Sequence, residues 1–106
     1  WFEEARSALS RQYGRPYADF EREGLGLAVT DLRVRYIQPT RYDRAVTVRI
    51  RVSRLRSRQV CFEYEVRDTD TGSLVATGAT EHVCIDRAGR PTVIPPAWQS
   101  FWAGLM

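Results

Sequence analysis

Apolar and polar residues alternate over three stretches of the chain, from Leu27 onward. The alternating apolar positions are Leu32, Val34 and Tyr36, then Val46, Val48, Ile50 and Val52, then Val60, Phe62, Tyr64 and Val66. Apart from Cys61, the positions between them are arginine, threonine or glutamate. Successive side chains of a strand point to opposite faces, so this period of two predicts three half-buried strands with one face in water.

A fourth strand is predicted over residues 74–85, after a hairpin turn. The turn is Asp70-Thr71-Gly72-Ser73, whose residue types are typical of a tight reversal. Within the strand, Ala76, Gly78 and Ala79 are small. Small residues inside a strand predict the close approach of another element.

The N-terminal part of the chain has a helical period instead. Apolar residues recur every four positions through residues 1–13, at Trp1, Ala5, Leu9 and Tyr13. Pro16 suits the first turn of a second, short helix that runs to Glu23, and Gly24 would end it.

A last helix is predicted after a loop over residues 89–96, and it begins at Pro95-Pro96. Its large apolar residues fall on one side and are Trp98, Phe101, Trp102 and Leu105. This stripe favours docking on the sheet of the same chain. A partner or membrane surface is the alternative, but the polar side lacks the basic residues of an interfacial helix. The order of elements predicts an α+β fold in which an antiparallel sheet wraps around the first helix.

The length of the chain indicates the number of domains, but its charge does not identify a ligand. The 106 residues predict one domain, spanning residues 1–106. The net charge is +3, and all 16 basic residues are arginine. Arginine-rich composition follows from GC-rich codons without any ligand. Guanidinium groups also suit phosphate, and charge alone does not separate the two explanations.

The cysteine usage and the lack of a visible targeting signal favour a cytoplasmic protein. Cys61 and Cys84 form no CxxC pair, and nothing resembles a disulfide framework or a zinc site. No apolar run approaches the roughly 20 residues of a membrane span, and no signal peptide is visible. Because the chain begins at Trp1 and not at Met, we expect an upstream segment to have been removed or cropped.

Few motifs for catalysis are present. No G-x-S-x-G nucleophile elbow occurs. His82, the single histidine, shares a strand face with Cys84, but residues two apart on a strand lie about 7 Å from each other. That separation is too long for the hydrogen bond of a Cys–His dyad, so a structural histidine is favoured.

Two groups of arginines lie in predicted loops. Arg54, Arg56 and Arg58 fall between the second and third strands, and Arg87 and Arg90 follow the fourth. Loop arginines beside glycine and serine can bind phosphate. A solvated basic edge that discourages sheet-to-sheet aggregation is the alternative, and both remain open.

An ordered set of short segments carries a family resemblance. The segments are WFEEAR (1–6), GLG (24–26), VRYIQP (34–39), FEYEV (62–66), HVCID (82–86), GRP (89–91) and IP (94–95). Over residues 1 to about 96 the chain resembles the acyl-CoA thioesterases related to 4-hydroxybenzoyl-CoA thioesterase and the Tol–Pal-associated thioesterases. The segment after Pro96 matches less well.

The resemblance implies a hotdog fold, in which an antiparallel sheet encloses a central helix. It implies a homodimer joined edge to edge, often paired into a homotetramer. It implies hydrolysis of an acyl-CoA thioester to a free acid and coenzyme A, with no metal or redox cofactor.

The resemblance also divides the expected site between this chain and what precedes it. In this family the catalytic aspartate lies in a loop before the central helix, which would place it upstream of Trp1 together with the N-terminal strand. No catalytic residue is therefore assigned, and the 106-residue chain alone is expected to be inactive. The positions that match the family's coenzyme A phosphate contacts are Arg56, Arg58 and Arg90.

Two other functions compete with hydrolysis. A non-catalytic hotdog module that binds acyl-CoA or a protein partner fits the same residues. Nucleic-acid binding would use the solvent-exposed face of the predicted strands. The arginines that project from this face are Arg33, Arg35, Arg49 and Arg51. That face lacks aromatic residues for base stacking, and Glu63 and Glu65 dilute its charge, so we expect no nucleic-acid partner.

Overall fold

The computed structural model describes Arg6, residues 17–39 and residues 44–106. Two helices lie within these ranges, α1 (Tyr17–Arg22) and α2 (Pro96–Ala103). The four strands are β1 (Gly26–Tyr36), β2 (Val46–Leu55), β3 (Gln59–Asp68) and β4 (Leu74–Ile85). Arg6 is also helical, but the rest of the helix predicted over residues 1–13 lies outside the described residues.

The strands form one antiparallel sheet in the order β1-β4-β3-β2. All four predicted strands are confirmed. The turn between β3 and β4 is confirmed as well, and Gly72 adopts a φ of 73° there. Asp68 holds this turn because its carboxylate accepts hydrogen bonds from the backbone N–H groups of Asp70 and Thr71, at 2.9 and 3.0 Å.

The core lies on the inner face of the sheet, which carries the alternating apolar residues. Val60, Phe62, Tyr64 and Val66 of β3 are all buried. The sheet packs against α2, whose Trp98 and Trp102 are 2% and 1% exposed.

Edge-on aromatic contacts hold this layer together. The Trp98 ring lies 5.2 Å from that of Phe20, and the Trp102 ring lies 6.3 Å from that of Phe62. Such pairs add to the burial of large apolar surfaces. The prediction that the last helix docks on its own sheet is therefore confirmed.

The strand predicted at β1 is confirmed, but the prediction that one of its faces is buried is wrong. On its inner face, Leu32, Val34 and Tyr36 are 59%, 41% and 73% exposed. Among the described strands, β1 lies at an edge of the sheet and pairs with β4 alone. Within the described residues the helices pack over the core built on β2, β3 and the end of β4, so nothing there covers these three side chains. We refer to Leu32, Val34 and Tyr36 as the β1 apolar strip.

Candidate functional site

The loop between β2 and β3 lies beside the segment that follows β4, at one end of the sheet. The Cys84 N–H donates to the carbonyl of Arg58 at 2.8 Å, and the Ile94 N–H donates to that of Ser57 at 2.8 Å. The Gln99 side chain of α2 donates to the carbonyl of Arg56 at 2.7 Å. Backbone bonds thus fix the two arginine-bearing loops next to each other.

Asp86 shapes the second of these loops. Its carboxylate accepts hydrogen bonds from the N–H groups of Ala88 and Arg90, at 2.9 and 3.0 Å. The Asp86 N–H in turn donates to the carbonyl of Arg90 at 2.9 Å, and Gly89 has a φ of 78°. This closed turn presents the Arg90 side chain to solvent, on the end of the sheet that carries Arg56 and Arg58.

The arginines at this end have no acidic partners among the described residues. They are Arg54, Arg56, Arg58, Arg87 and Arg90, and all are exposed. We refer to these five as the arginine end. The loop position predicted for Arg54 is wrong, because Arg54 lies within β2.

Elsewhere in the described part of the chain, some arginines are paired with carboxylates, whereas Arg35 and Arg49 are not. Arg51 contacts Glu63 at 2.6 Å, and Arg44 contacts Asp68 at 3.6 Å. The sequence-predicted trio Arg56, Arg58 and Arg90 is thus brought onto adjacent loops with its charge uncompensated. Phosphate binding by it stays a prediction.

A chain of polar side chains, which the sequence did not reveal, links a helical residue to the sheet. Arg6 donates to the Tyr64 hydroxyl at 2.8 Å, and that hydroxyl shares a 2.8 Å hydrogen bond with Thr80. The Thr80 hydroxyl shares a further bond of 2.9 Å with Nε2 of His82. One signal was available, because Thr80 and His82 are polar residues at positions of β4 that face the core.

His82 is a structural histidine in this arrangement. The side chain is 1% exposed and meets the Phe62 ring edge-on at 5.4 Å. Burial, helped by the positive charge of Arg6, lowers the pKa of His82 to about 4, so the ring is neutral near pH 7. Its Nδ1 atom has no hydrogen-bond partner among the residues that the structure describes.

The two thiols are not activated nucleophiles. Burial raises the pKa of the Cys84 thiol. It also raises that of Cys61, where Glu81 adds to the rise and Arg54 and Arg56 oppose it. Reactive cysteines have a lowered pKa, so these directions argue against either thiol as the nucleophile.

In Arg6, 17–39 and 44–106, no group of three or more His, Cys, Asp or Glu side chains is placed to hold a metal ion. Within the same ranges, neither helix has the length and apolar character needed to cross a membrane.

Comparisons with known proteins agree with the fold. The sequence profile described as the thioesterase-like superfamily matches residues 1–102. YneP of Bacillus subtilis, whose acyl-CoA thioesterase name is provisional, is 25% identical over 87 residues. That match covers 82% of this chain and 62% of YneP, so the chain spans less than two thirds of that relative.

Two solved structures are also similar. The DHNA-CoA thioesterase of Staphylococcus aureus is 31% identical with a TM-score of 0.91, covering 98% of this chain and 72% of that one. Protein TT1821 of Thermus thermophilus is 31% identical with a TM-score of 0.91, covering 99% and 79%. These likenesses confirm the predicted hotdog fold. The narrower resemblance to the 4-hydroxybenzoyl-CoA and Tol–Pal-associated types stays a prediction.

Proposed function

Because the chain belongs to the thioesterase-like superfamily, we propose that the full-length protein hydrolyses an acyl-CoA thioester to a free acid and coenzyme A. The named activities of two similar proteins support this, since one is a DHNA-CoA thioesterase and the other has the provisional acyl-CoA thioesterase name. The acyl group is left open.

The arginine end is the observation that carries the proposal. Coenzyme A bears several phosphate charges at its nucleotide end, and guanidinium groups bind phosphate through paired, charge-assisted hydrogen bonds. Arg56, Arg58 and Arg90 are exposed and lack carboxylate partners within the described residues. Backbone bonds between the two segments fix the backbone positions of their loops before a ligand arrives, which lowers the part of the entropic cost of binding that comes from ordering a loop.

The β1 edge supports self-association as part of the same proposal. An edge strand presents unpaired backbone N–H and C=O groups that readily pair with another strand. β1 combines such an edge with the exposed β1 apolar strip. We therefore propose a homodimer joined through β1, with a homotetramer as a further step.

Among the described residues we assign roles in phosphate binding and in holding the fold, and we assign no catalytic residue. Asp68 and Asp86 use their carboxylates to hold turns. His82 is enclosed in the core and cannot reach a substrate. A cytoplasmic location is proposed on the free thiols of Cys61 and Cys84.

A substrate that lacks the nucleotide tests the phosphate site proposed at the arginine end. We expect Arg56→Ala, Arg58→Ala and Arg90→Ala in the full-length protein each to raise KM for an acyl-CoA about tenfold. Loss of one charge-assisted hydrogen bond costs about 1.5 kcal/mol or more. KM for the same acyl group on pantetheine, which lacks the nucleotide, should not change.

Arg49→Ala is the matched control, because Arg49 is exposed on β2 and also lacks a carboxylate partner among the described residues. Equal effects on both substrates, or an equal effect in the control, would count against a phosphate site. Tight binding of acyl-CoA in calorimetry without any turnover would favour the non-catalytic module instead.

A further inference from the structure

The turn between β2 and β3, residues 56–58, is held by other parts of the chain through its own backbone. Its three consecutive carbonyls, those of Arg56, Ser57 and Arg58, each accept a hydrogen bond from outside the turn. The donors, in the same order, are the Gln99 side chain at 2.7 Å, the Ile94 N–H at 2.8 Å and the Cys84 N–H at 2.8 Å. Rotation of any of these peptide groups would therefore break a hydrogen bond.

The backbone bonds determine where Arg56 presents its guanidinium. The Arg56 N–H donates to the carbonyl of Gln59 at 2.9 Å and closes the turn, and the Arg56 carbonyl is bonded to Gln99. Both backbone groups of Arg56 are thus bonded within the protein, while its side chain is exposed. That side chain has no hydrogen bond or ion pair to any residue that the structure describes, so its position depends on the backbone of the turn.

Gln99 differs from the other two donors because it bonds through its side chain. The backbone donors persist in any variant that keeps the fold, whereas the Gln99 amide is present only because of the residue type at this position. Gln99 lies in the first turn of α2, where its N–H donates to the carbonyl of Pro95 at 2.9 Å. Pro95 and Pro96 have restricted backbones, so they fix the start of the helix and the place from which the amide reaches the turn.

The docking of α2 on the sheet does not depend on Gln99. The helix is anchored by Trp98 and Trp102, which are 2% and 1% exposed, whereas Gln99 is only partly buried. Burial of two indole rings stabilises the docked helix far more than one neutral hydrogen bond does. Removal of the Gln99 amide should therefore release the turn and leave the helix in place.

We propose that Gln99 is a positioning residue for Arg56, which it holds ready to receive a phosphate of coenzyme A. This inference rests on the proposed function, because it takes the arginine end as the phosphate site. Gln99 acts on the ligand only through the backbone of the turn. A turn that is fixed beforehand does not have to be ordered when the phosphate binds, and that part of the entropic cost is avoided.

Two other roles for Gln99 give different results in a double-mutant cycle. A residue that only supports the fold, or one that contacts the ligand itself, weakens binding whichever residue stands at position 56. A residue that positions Arg56 has an effect only while Arg56 is present. The effects of the two substitutions should therefore not add.

The experiment titrates the full-length protein with coenzyme A in a calorimeter and requires no turnover. Gln99→Met removes the donor at similar size and should weaken binding about fivefold, since a neutral hydrogen bond contributes a factor of about 2 to 10. Arg56→Ala should weaken binding about tenfold, and Gln99→Met added to Arg56→Ala should cause no further loss. Ser100→Ala is the matched control, because Ser100 is the next residue of α2 and is exposed; its affinity should equal that of the wild type.

Circular dichroism and urea denaturation check that each variant is folded, and Gln99→Leu removes the amide in a second way. A folded Gln99→Met variant with wild-type affinity would overturn the proposal, and so would a fivefold loss that persists in the Arg56→Ala background. If Arg56→Ala also binds coenzyme A as tightly as the wild type, the phosphate contact at Arg56 fails together with the positioning role. If Arg56→Ala weakens binding and Gln99→Met does not, the positioning role alone is rejected. Hydrolysis is measured separately, so its absence would not alter these outcomes.

Discussion

Protonation of His82 should make this fold sensitive to acid. The ring is buried beside Phe62 and one nitrogen bonds to Thr80, while the other has no partner in the described part of the chain. Burial and, to a lesser degree, Arg6 lower its pKa from 6.5 to about 4. An added proton would place a second positive charge close to that of Arg6.

The direction of the effect follows from proton uptake. Between pH 6.5 and about 4, the unfolded chain binds a proton at this histidine and the folded chain does not. Stability is therefore complete above pH 6.5 and falls as the pH drops from 6.5 toward 4. At about 1.4 kcal/mol per pH unit, the full loss is about 3 kcal/mol. That is a large part of the roughly 5 to 15 kcal/mol that stabilises a typical domain.

Urea denaturation at pH 7.5 and pH 4.5 measures the loss. We expect the wild-type protein to lose about 2 to 3 kcal/mol between these conditions through His82. In His82→Gln, which cannot titrate, this part of the loss should disappear. Carboxylates with ordinary pKa values near 4 begin to titrate at the lower pH, but they do so in both proteins, so the difference between the two losses reports His82. The pKa of Asp68 is lowered, mainly by the hydrogen bond from the Thr71 N–H. Equal losses in the two proteins would refute the assignment.

Three further substitutions test other parts of the fold by the same urea assay. Trp102→Ala empties a fully buried site and should cost about 3 to 5 kcal/mol; a loss below about 1 kcal/mol would contradict the packing described. Tyr64→Phe removes a buried hydroxyl that is hydrogen-bonded to Arg6 and Thr80 and should cost about 1 to 3 kcal/mol, whereas no change would mean that the polar chain contributes nothing to stability. Gly72→Ala should cost about 1 kcal/mol because φ is 73° in otherwise open space. Gly104→Ala is its control and should be neutral, since φ there is −69°.

Much of the fold could be predicted because its signals are local. The alternation in β2 and β3 persists for about ten residues each, and the Pro95-Pro96 start of α2 is marked in the chain itself. The burial of β1 could not be predicted in the same way. Its pattern is as regular as that of β2, but burial depends on which element covers the strand, and that is a tertiary property.

The candidate site was predictable in part for a similar reason. Arg56 and Arg58 are neighbours in sequence, so a loop alone places them together. Their closeness to Arg90 depends on hydrogen bonds between separate loops, which the resemblance implied and the residues alone did not. On the outer face, the basic residues were identified as one group, yet the register inserts Glu63 and Glu65 between those of β1 and β2.

Release of the coenzyme A thiol from acyl-CoA substrates tests the central claim most directly. The full-length protein should be incubated with a panel of short-chain, long-chain and aromatic acyl-CoAs, and free thiol and free acid measured together. The proposed function predicts equal amounts of thiol and acid from at least one substrate, well above the uncatalysed rate. No release above that rate from any member of the panel would contradict it.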